Sequence, residues 1–189
     1  ETALKMQAGV TVDETEAGHF VDIYREVNDK VINLWKDCDK ALKDIAAWPK
    51  KKEPYYLDKH NVIWVCPQGL KLPNGLYIRY PDLTWDVSEA KSKYVYKSRR
   101  GFVSIWGGSV VENIVQALAR IIIGEQMLEI NKKYRPVLTV HDAVVNVVPA
   151  SEIDSAMKYI TDIMSKPPQW APGLPIACEA HYGDSYGDC

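Results

Sequence analysis

The chain lacks the features that mark membrane, secreted and zinc-binding proteins. It has no apolar run of about 18 residues, the length that a membrane-spanning helix needs. Its first residues do not follow the basic-then-apolar plan of a signal peptide. The four cysteines form no C-x-x-C pair and have no zinc-like spacing with histidine. We therefore expect a soluble, cytoplasmic protein whose thiols are reduced.

A strong excess of positive charge is also missing. The formal net charge of the 189 residues is -2, so any contact with nucleic acid has to be local. Lysine and arginine do cluster near residues 50–52, 91–100 and 132–135, although most such clusters are simply solvated surfaces. With 47% hydrophobic and 25% charged residues, the composition is that of a chain that folds around an apolar core.

Two short apolar runs that enclose a histidine and an aspartate form the most informative pattern. Residues 136–149 read PVLTVHDAVVNVVP. Valine, leucine and threonine suit strands, and the prolines stand where a ladder should end. The pattern predicts a buried hairpin with His141 and Asp142 at its tip. A partly desolvated carboxylate held there would suit Mg²⁺, whereas an ordinary polar turn explains the same residues without any ligand.

Helical spacing of apolar residues predicts three helical regions. The first runs from 13 to about 47, as one long helix or a pair, with Thr11 and Glu14 as a capping box. The second begins after Gly108 and runs to about 132. The third runs from Ser151 to about 164, capped by Ser151 with Asp154 and stopped by two prolines.

Strand patterns fill much of the remaining chain. Residues 75–80 and 93–97 predict two paired strands joined by a turn at 86–92. A last short strand is expected near 176–180, returning to the sheet of the hairpin. Strand pairs with helices against one face indicate an α+β fold.

Four blocks of sequence carry a resemblance to a known family. They are residues 10–35, which include VTVDE, VDIYR and VINLW; 107–120, GGSVVENIVQALAR; 139–145, TVHDAVV; and the final pair 167–176, PPQWAPGLPI, and 182–188, YGDSYGD. In this order they resemble the carboxy-terminal palm and fingers portion of bacteriophage-type family A DNA polymerases, with TVHDAVV as motif C. The resemblance implies an antiparallel palm sheet with long helices, part of a right-hand fold. It divides the chain into a helical fingers-derived segment (1–50), a strand-rich connection (51–106) and the palm (107–189).

The chemistry that this resemblance implies is template-directed DNA synthesis with two Mg²⁺ ions. Deoxynucleoside triphosphates react with the 3′-hydroxyl of a primer, and the ions stabilise the attacking and leaving oxygens. Asp142 matches the motif C aspartate, an implied metal ligand. His141 is implied to position the primer end, and a structural imidazole at a turn explains it equally well. Ala143 stands where the family usually has glutamate.

The resemblance also implies contacts with primer–template DNA. Arg100 lies eight residues before Gly108, the spacing at which cellular members carry a duplex-contacting arginine. Asn113 and Gln116 match the phage-type helix, where their amides could face DNA. Amides buried in the protein and satisfied by its backbone are the alternative for these two residues.

Much of a polymerase site is missing from this sequence. No segment resembles motif A or the triphosphate-binding fingers helix, so the resemblance implies a partner, the amino-terminal polymerase portion, as a separate chain or severed fragment. If the chain is phage-encoded, it would act in the cytoplasm of an infected bacterium. Two alternatives stay open: a non-catalytic DNA-binding accessory module, and a nuclease or nucleotidyltransferase in which Asp142 acts with Asp184 or Glu179.

Overall fold

A computed structural model describes residues 13–48, 52–88 and 92–188. Within them the chain forms four α-helices: α1 Glu14–Val27, α2 Asp29–Ala46, α3 Gly107–Ile130 and α4 Ile153–Met164. Short 3₁₀ turns lie at Ala150–Glu152 and Tyr186–Asp188. The strands are β1 Tyr55–Tyr56, β2 Trp64–Cys66, β3 Gly69–Lys71, β4 Tyr77–Ile78, β5 Thr84–Asp86, β6 Lys93–Ser98, β7 Gly101–Ile105, β8 Pro136–Val140 and β9 Ala143–Asn146. Helices with antiparallel sheets are compatible with the expected α+β class.

The first helical region is a pair of helices. Asp13 caps α1, because its carboxylate accepts a hydrogen bond from the Glu16 amide at 2.8 Å while the Glu16 side chain accepts from the Asp13 amide at 3.3 Å. The expected cap residue Thr11 lies outside the described residues. Asn28 ends α1 with a non-helical ψ of 43°, and its side-chain amide donates to the Tyr24 carbonyl at 2.9 Å.

Strands β1 to β4 form a four-stranded antiparallel sheet in sequence order. The β3–β4 turn contains Asn74 and Gly75, and it is closed by the Leu72 amide, which donates to the Leu76 carbonyl at 2.8 Å. Gly69 has a φ of 123°, and a Cβ there would overlap the Ile78 carbonyl oxygen. Only glycine meets both conditions without strain. This close approach fixes β4 against β3.

The expected pairing of residues 75–80 with 93–97 is wrong. Strand β4 pairs with β3, whereas β6 lies between β5 and β7 in a second antiparallel sheet. The chain turns between the two sheets at Asp82, whose φ is 52°, after Pro81, which has no amide to donate to a ladder. The expected turn at 86–92 does join two paired strands, but these are β5 and β6, and its residues 89–91 lie outside the described part.

Two further expectations near the carboxyl end are also wrong. Residues 175–183 form no strand, and β8 and β9 make a sheet of two strands. Pro175 removes a backbone donor at the start of this stretch, and Cys178 packs against a buried cluster instead. No Ser151–Asp154 cap forms, because a 3₁₀ turn precedes α4 and Glu152 is its N-cap, without a side-chain cap bond.

The chain divides into two compact units. The first comprises Glu1–Lys52 and Tyr80–Val111, and the second Glu53–Arg79 and Glu112–Cys189. Most buried apolar residues of the first unit lie on α2, on the second sheet and at the start of α3, and Tyr80 precedes that sheet: Cys38, Ala41, Leu42, Tyr80, Val95, Ile105 and Val110. Burial, followed by Asp39 and Asp44, raises the pKa of Tyr94 in this unit. The division at residues 50 and 106 stays a prediction.

The second unit has a core in which α3, α4 and the β8–β9 hairpin meet. Its buried cluster is Ile130, Tyr134, Ala156 and Met164, and Val144 of β9 packs against it. In the same unit, Gln126 of α3 is buried and donates to the Met164 carbonyl at 2.9 Å. No helix in the described part of the chain is long and apolar enough to cross a membrane.

Candidate active site

The hairpin predicted around His141 and Asp142 is present. Val140 pairs with Ala143, so His141 and Asp142 alone form the loop between β8 and β9. His141 has a φ of 53°, in the left-handed region that side chains with a Cβ seldom adopt. Positive φ at the first loop residue only is the pattern of a type II′ turn, which normally takes glycine at that place. The turn therefore holds Asp142 at the tip at a cost in backbone strain.

The tip of the hairpin lies in solvent rather than in the core. His141, Asp142 and Ala143 are all exposed, as are Val137 and Leu138 on β8. The expectation of a buried hairpin with a partly desolvated carboxylate is therefore wrong for the tip. The reason is that a two-stranded ribbon covers one face only, and here Val144 and Val148 pack against the core while the loop residues do not.

A polar contact joins the base of the hairpin to the turn that follows α3. The side-chain amide nitrogen of Asn146 donates to the Tyr134 carbonyl at 3.2 Å. The Tyr134 hydroxyl in turn donates to the Glu152 carboxylate at 3.0 Å and lies 3.2 Å from the Ser155 hydroxyl. These bonds join the hairpin to the start of α4, so that the position of the tip depends on residues that are distant from it in sequence.

Sequence reasoning did not find Asn146 or Tyr134. A single amide within an otherwise apolar strand was the available signal for Asn146, since such a group needs a hydrogen-bond partner once it is buried. Its Oδ1 atom is buried, and none of the described groups donates to it. For Tyr134 no local pattern pointed to the network.

As a metal ligand, Asp142 fits in part. An exposed carboxylate on a fixed two-residue turn is a suitable oxygen donor for Mg²⁺. Among the described residues, however, no three His, Cys, Asp or Glu side chains come together in a group that could hold a metal ion. The proposed partners Asp184 and Glu179 thus do not complete a three-ligand site with Asp142. Asp142 can supply one ligand, and further carboxylates would have to come from elsewhere.

The two amides predicted to face DNA lie on the same side of α3 in the second unit. Gln116 is exposed, and its amide nitrogen donates to the Glu112 carboxylate at 3.2 Å. The alternative of a buried amide is therefore wrong for Gln116. Asn113, one turn earlier, is half-buried. Gln116 is thus accessible to a ligand from solvent, which would replace its hydrogen bond with Glu112.

Arg100 belongs to the first unit, at the turn between β6 and β7. The turn is closed by Ser98, whose hydroxyl donates to the Gly101 carbonyl at 2.8 Å and accepts from the Arg100 amide at 3.2 Å. Arg100 and its neighbour Arg99 are both exposed. The backbone at Arg100 is held while its guanidinium reaches into solvent, which suits contact with an anion.

Comparison with known proteins gives one informative match. A DNA polymerase of Bacillus phage SP02 is 30% identical to this chain over 184 residues, which cover 92% of the chain and 28% of the relative. The chain is related to a phage DNA polymerase. No protein-family model and no solved structure matches it.

The polymerase relationship extends over almost the whole chain but represents a minor part of the relative. The chain spans 28% of the length of the phage polymerase. The match is therefore to a segment of a larger enzyme and includes both the helical first region and the hairpin.

Proposed function

We propose that this chain is the carboxy-terminal palm and fingers portion of a family A DNA polymerase. It would carry out DNA synthesis together with a complementary amino-terminal portion. The observation that carries the proposal is the position of Asp142, an exposed carboxylate on a two-residue turn, within a chain related to a phage DNA polymerase. Mg²⁺ bound there would stabilise the attacking and leaving oxygens of nucleotidyl transfer.

The residues of the chain would share the work as follows. Asp142 would contribute carboxylate oxygens to the metal site, and the complementary portion would contribute the others. His141, held beside it by the turn, would orient the primer end. Arg100, Gln116 and Asn113 would contact primer–template DNA, mainly through phosphate and base-edge hydrogen bonds. Because Ala143 offers no carboxylate, this part of the site would carry one negative charge fewer than a motif C with glutamate.

Primer extension tests this proposal directly. The chain is assayed with Mg²⁺ and four deoxynucleoside triphosphates, alone and in the assembled enzyme that includes the complementary portion. We expect extension only by the assembled enzyme, and we expect Asp142→Ala to lower its rate by at least about a hundredfold, because the site would lose a charged ligand of the Mg²⁺ that stabilises the transition state. DNA affinity should change by less than about threefold, since contacts to phosphates persist.

Asp184→Ala is the matched control, because Asp184 is an exposed carboxylate of the same unit. It should leave extension unchanged. Equal losses in the two variants would contradict the assignment of Asp142 as the metal ligand. Extension that survives Asp142→Ala would contradict it as well.

A second function is favoured by one observation, the alanine at position 143. A non-catalytic DNA-binding module could keep the hairpin while losing a carboxylate next to the metal site. Such a module would bind primer–template DNA equally well with Mg²⁺ and with EDTA, and Asp142→Ala would not change its affinity for DNA. The extension assay therefore separates the two functions.

A further inference from the structure

Helix α1 exposes a wide apolar face. Among its 14 residues none is buried. Four large apolar side chains follow one another at positions i, i+3, i+4 and i+7, and their exposed fractions are 53% for Phe20, 43% for Ile23, 49% for Tyr24 and 75% for Val27. We call these four residues the α1 apolar face. This spacing is the one by which an amphipathic helix enters a groove of a partner.

Packing within the chain orients this face without covering it. The Tyr24 ring stacks on the Trp35 ring of α2, with 6.5 Å between ring centroids and 22° between planes. Tyr24 still keeps about half of its surface exposed. Contiguous exposed apolar side chains of this size are uncommon on a protein surface unless another molecule covers them.

The charge of α1 indicates what kind of molecule would cover the α1 apolar face. The helix carries four carboxylates, on Glu14, Glu16, Asp22 and Glu26, against the single guanidinium of Arg25, which already pairs with Asp22 at 3.9 Å. The phosphates of DNA would be repelled by this excess of negative charge. An apolar protein groove with basic residues around it would complement both the face and its charges.

We propose that the α1 apolar face is the docking surface for the complementary polypeptide of the polymerase. The phage relative has 72% of its length (100% less the 28% covered) without a counterpart in this chain, and that remainder is the occupant to which we commit. The proposal rests on the proposed function, because it assumes that the chain acts together with the rest of such an enzyme.

The test uses the full chain in two settings. In one it is alone, and in the other it replaces the aligned segment of the Bacillus phage SP02 polymerase, so that the fusion supplies the remainder. Hydrogen exchange of the α1 amides is measured in both. We expect exchange to be at least about tenfold slower in the fusion, because a covered helix opens less often. Equal exchange rates in the two settings would overturn the proposal.

Paired serine variants show whether the face itself is responsible. Phe20→Ser with Val27→Ser should restore fast exchange in the fusion. The matched control, Thr15→Ser with Arg25→Ser, changes two exposed residues on the opposite side of α1 and should not. If the control restores fast exchange as well, the docking surface is assigned to the wrong side of the helix.

Measurements on the chain alone keep the proposal falsifiable if the fusion does not fold. Phe20→Ser with Val27→Ser should shift its Tm by no more than about 2 °C, because exposed side chains contribute little to stability. A larger fall would mean that the chain covers the face itself. Protection of α1 by primer–template DNA, or a concentration-dependent dimer abolished by the two serines, would also overturn the proposal.

Failure of docking and failure of the proposed function give different results. A fusion that extends primers while α1 exchanges as fast as in the isolated chain would contradict docking and leave the function intact. A fusion in which α1 is protected but no primer is extended would support docking and contradict the function.

Discussion

The left-handed backbone of His141 leads to a prediction in which two variants differ in stability but not in activity. A residue with a Cβ is destabilised by about 1–2 kcal/mol in this region, and glycine loses about 0.5–1 kcal/mol more than alanine in backbone entropy on folding. The difference favours glycine at a φ of 53°. We therefore expect His141→Gly to be about 0.5–1 kcal/mol more stable than His141→Ala, or roughly 1–4 °C higher in Tm for a chain of this size.

Alanine is the matched comparison because both variants lose the imidazole and only one keeps the Cβ. Thermal unfolding followed by circular dichroism gives the Tm of each variant. Both variants should lose the same share of primer extension in the assembled enzyme, if the imidazole positions the primer end. An alanine variant that is as stable as the glycine variant would refute the reasoning about strain, and full activity in both would refute the role of the side chain.

Three further predictions concern packing, the hairpin support and a buried thiol. A Cβ at Gly107 would overlap the Trp35 carbonyl oxygen, whereas one at Gly124 in the same helix meets nothing within 4 Å. In urea unfolding, Gly107→Ala should therefore lower the free energy of unfolding by about 3 kcal/mol, and Gly124→Ala should raise it by about 0.5–1 kcal/mol. Tyr134→Phe should cost about 1–2 kcal/mol, since it leaves the Glu152 carboxylate without its donor, and an unchanged urea midpoint would contradict this. Burial, then Asp37 and Asp39, raises the pKa of the Cys38 thiol from 9.0 to about 12. Because the folded pKa is the higher one, the contribution of this thiol to stability should be constant below pH 9 and fall as the pH rises toward 12, and Cys38→Ala should make the alkaline loss of stability smaller.

The helices could be predicted well because their signals are local. Apolar spacing placed α3 within two residues of its observed end at Ile130, and it allowed for the break at Asn28. Sheet pairing is not a local property. The β3–β4 pairing depends on the close approach at Gly69, and β6 pairs with strands that follow the turn at Asp82. Residues 75–80 and 93–97 have similar strand patterns in the sequence, but they belong to different sheets because of these distant contacts.

The place of the candidate site in the chain could be predicted from the sequence, but its exposure to solvent could not. The apolar runs and prolines placed a turn at His141 and Asp142, and the structure has it there. Exposure of the tip could not be predicted, because it depends on how many strands join the hairpin, and the expected third strand near 176–180 does not form. The Asp39 carboxylate, which accepts from the Gly107 amide at 2.6 Å across 68 residues of sequence, had no local signal.

The unpaired residue in β8 affects how the hairpin can change in length during evolution. Pro136 pairs with Asn146 and Leu138 pairs with Val145, so Val137 is an extra residue without a partner in the ladder. A deletion elsewhere in β8 would turn every later side chain to the opposite face. Loss of the exposed Val137 would leave the remaining pairs, and the turn, as they are. We expect insertions and deletions in this part of related chains to accumulate at residue 137.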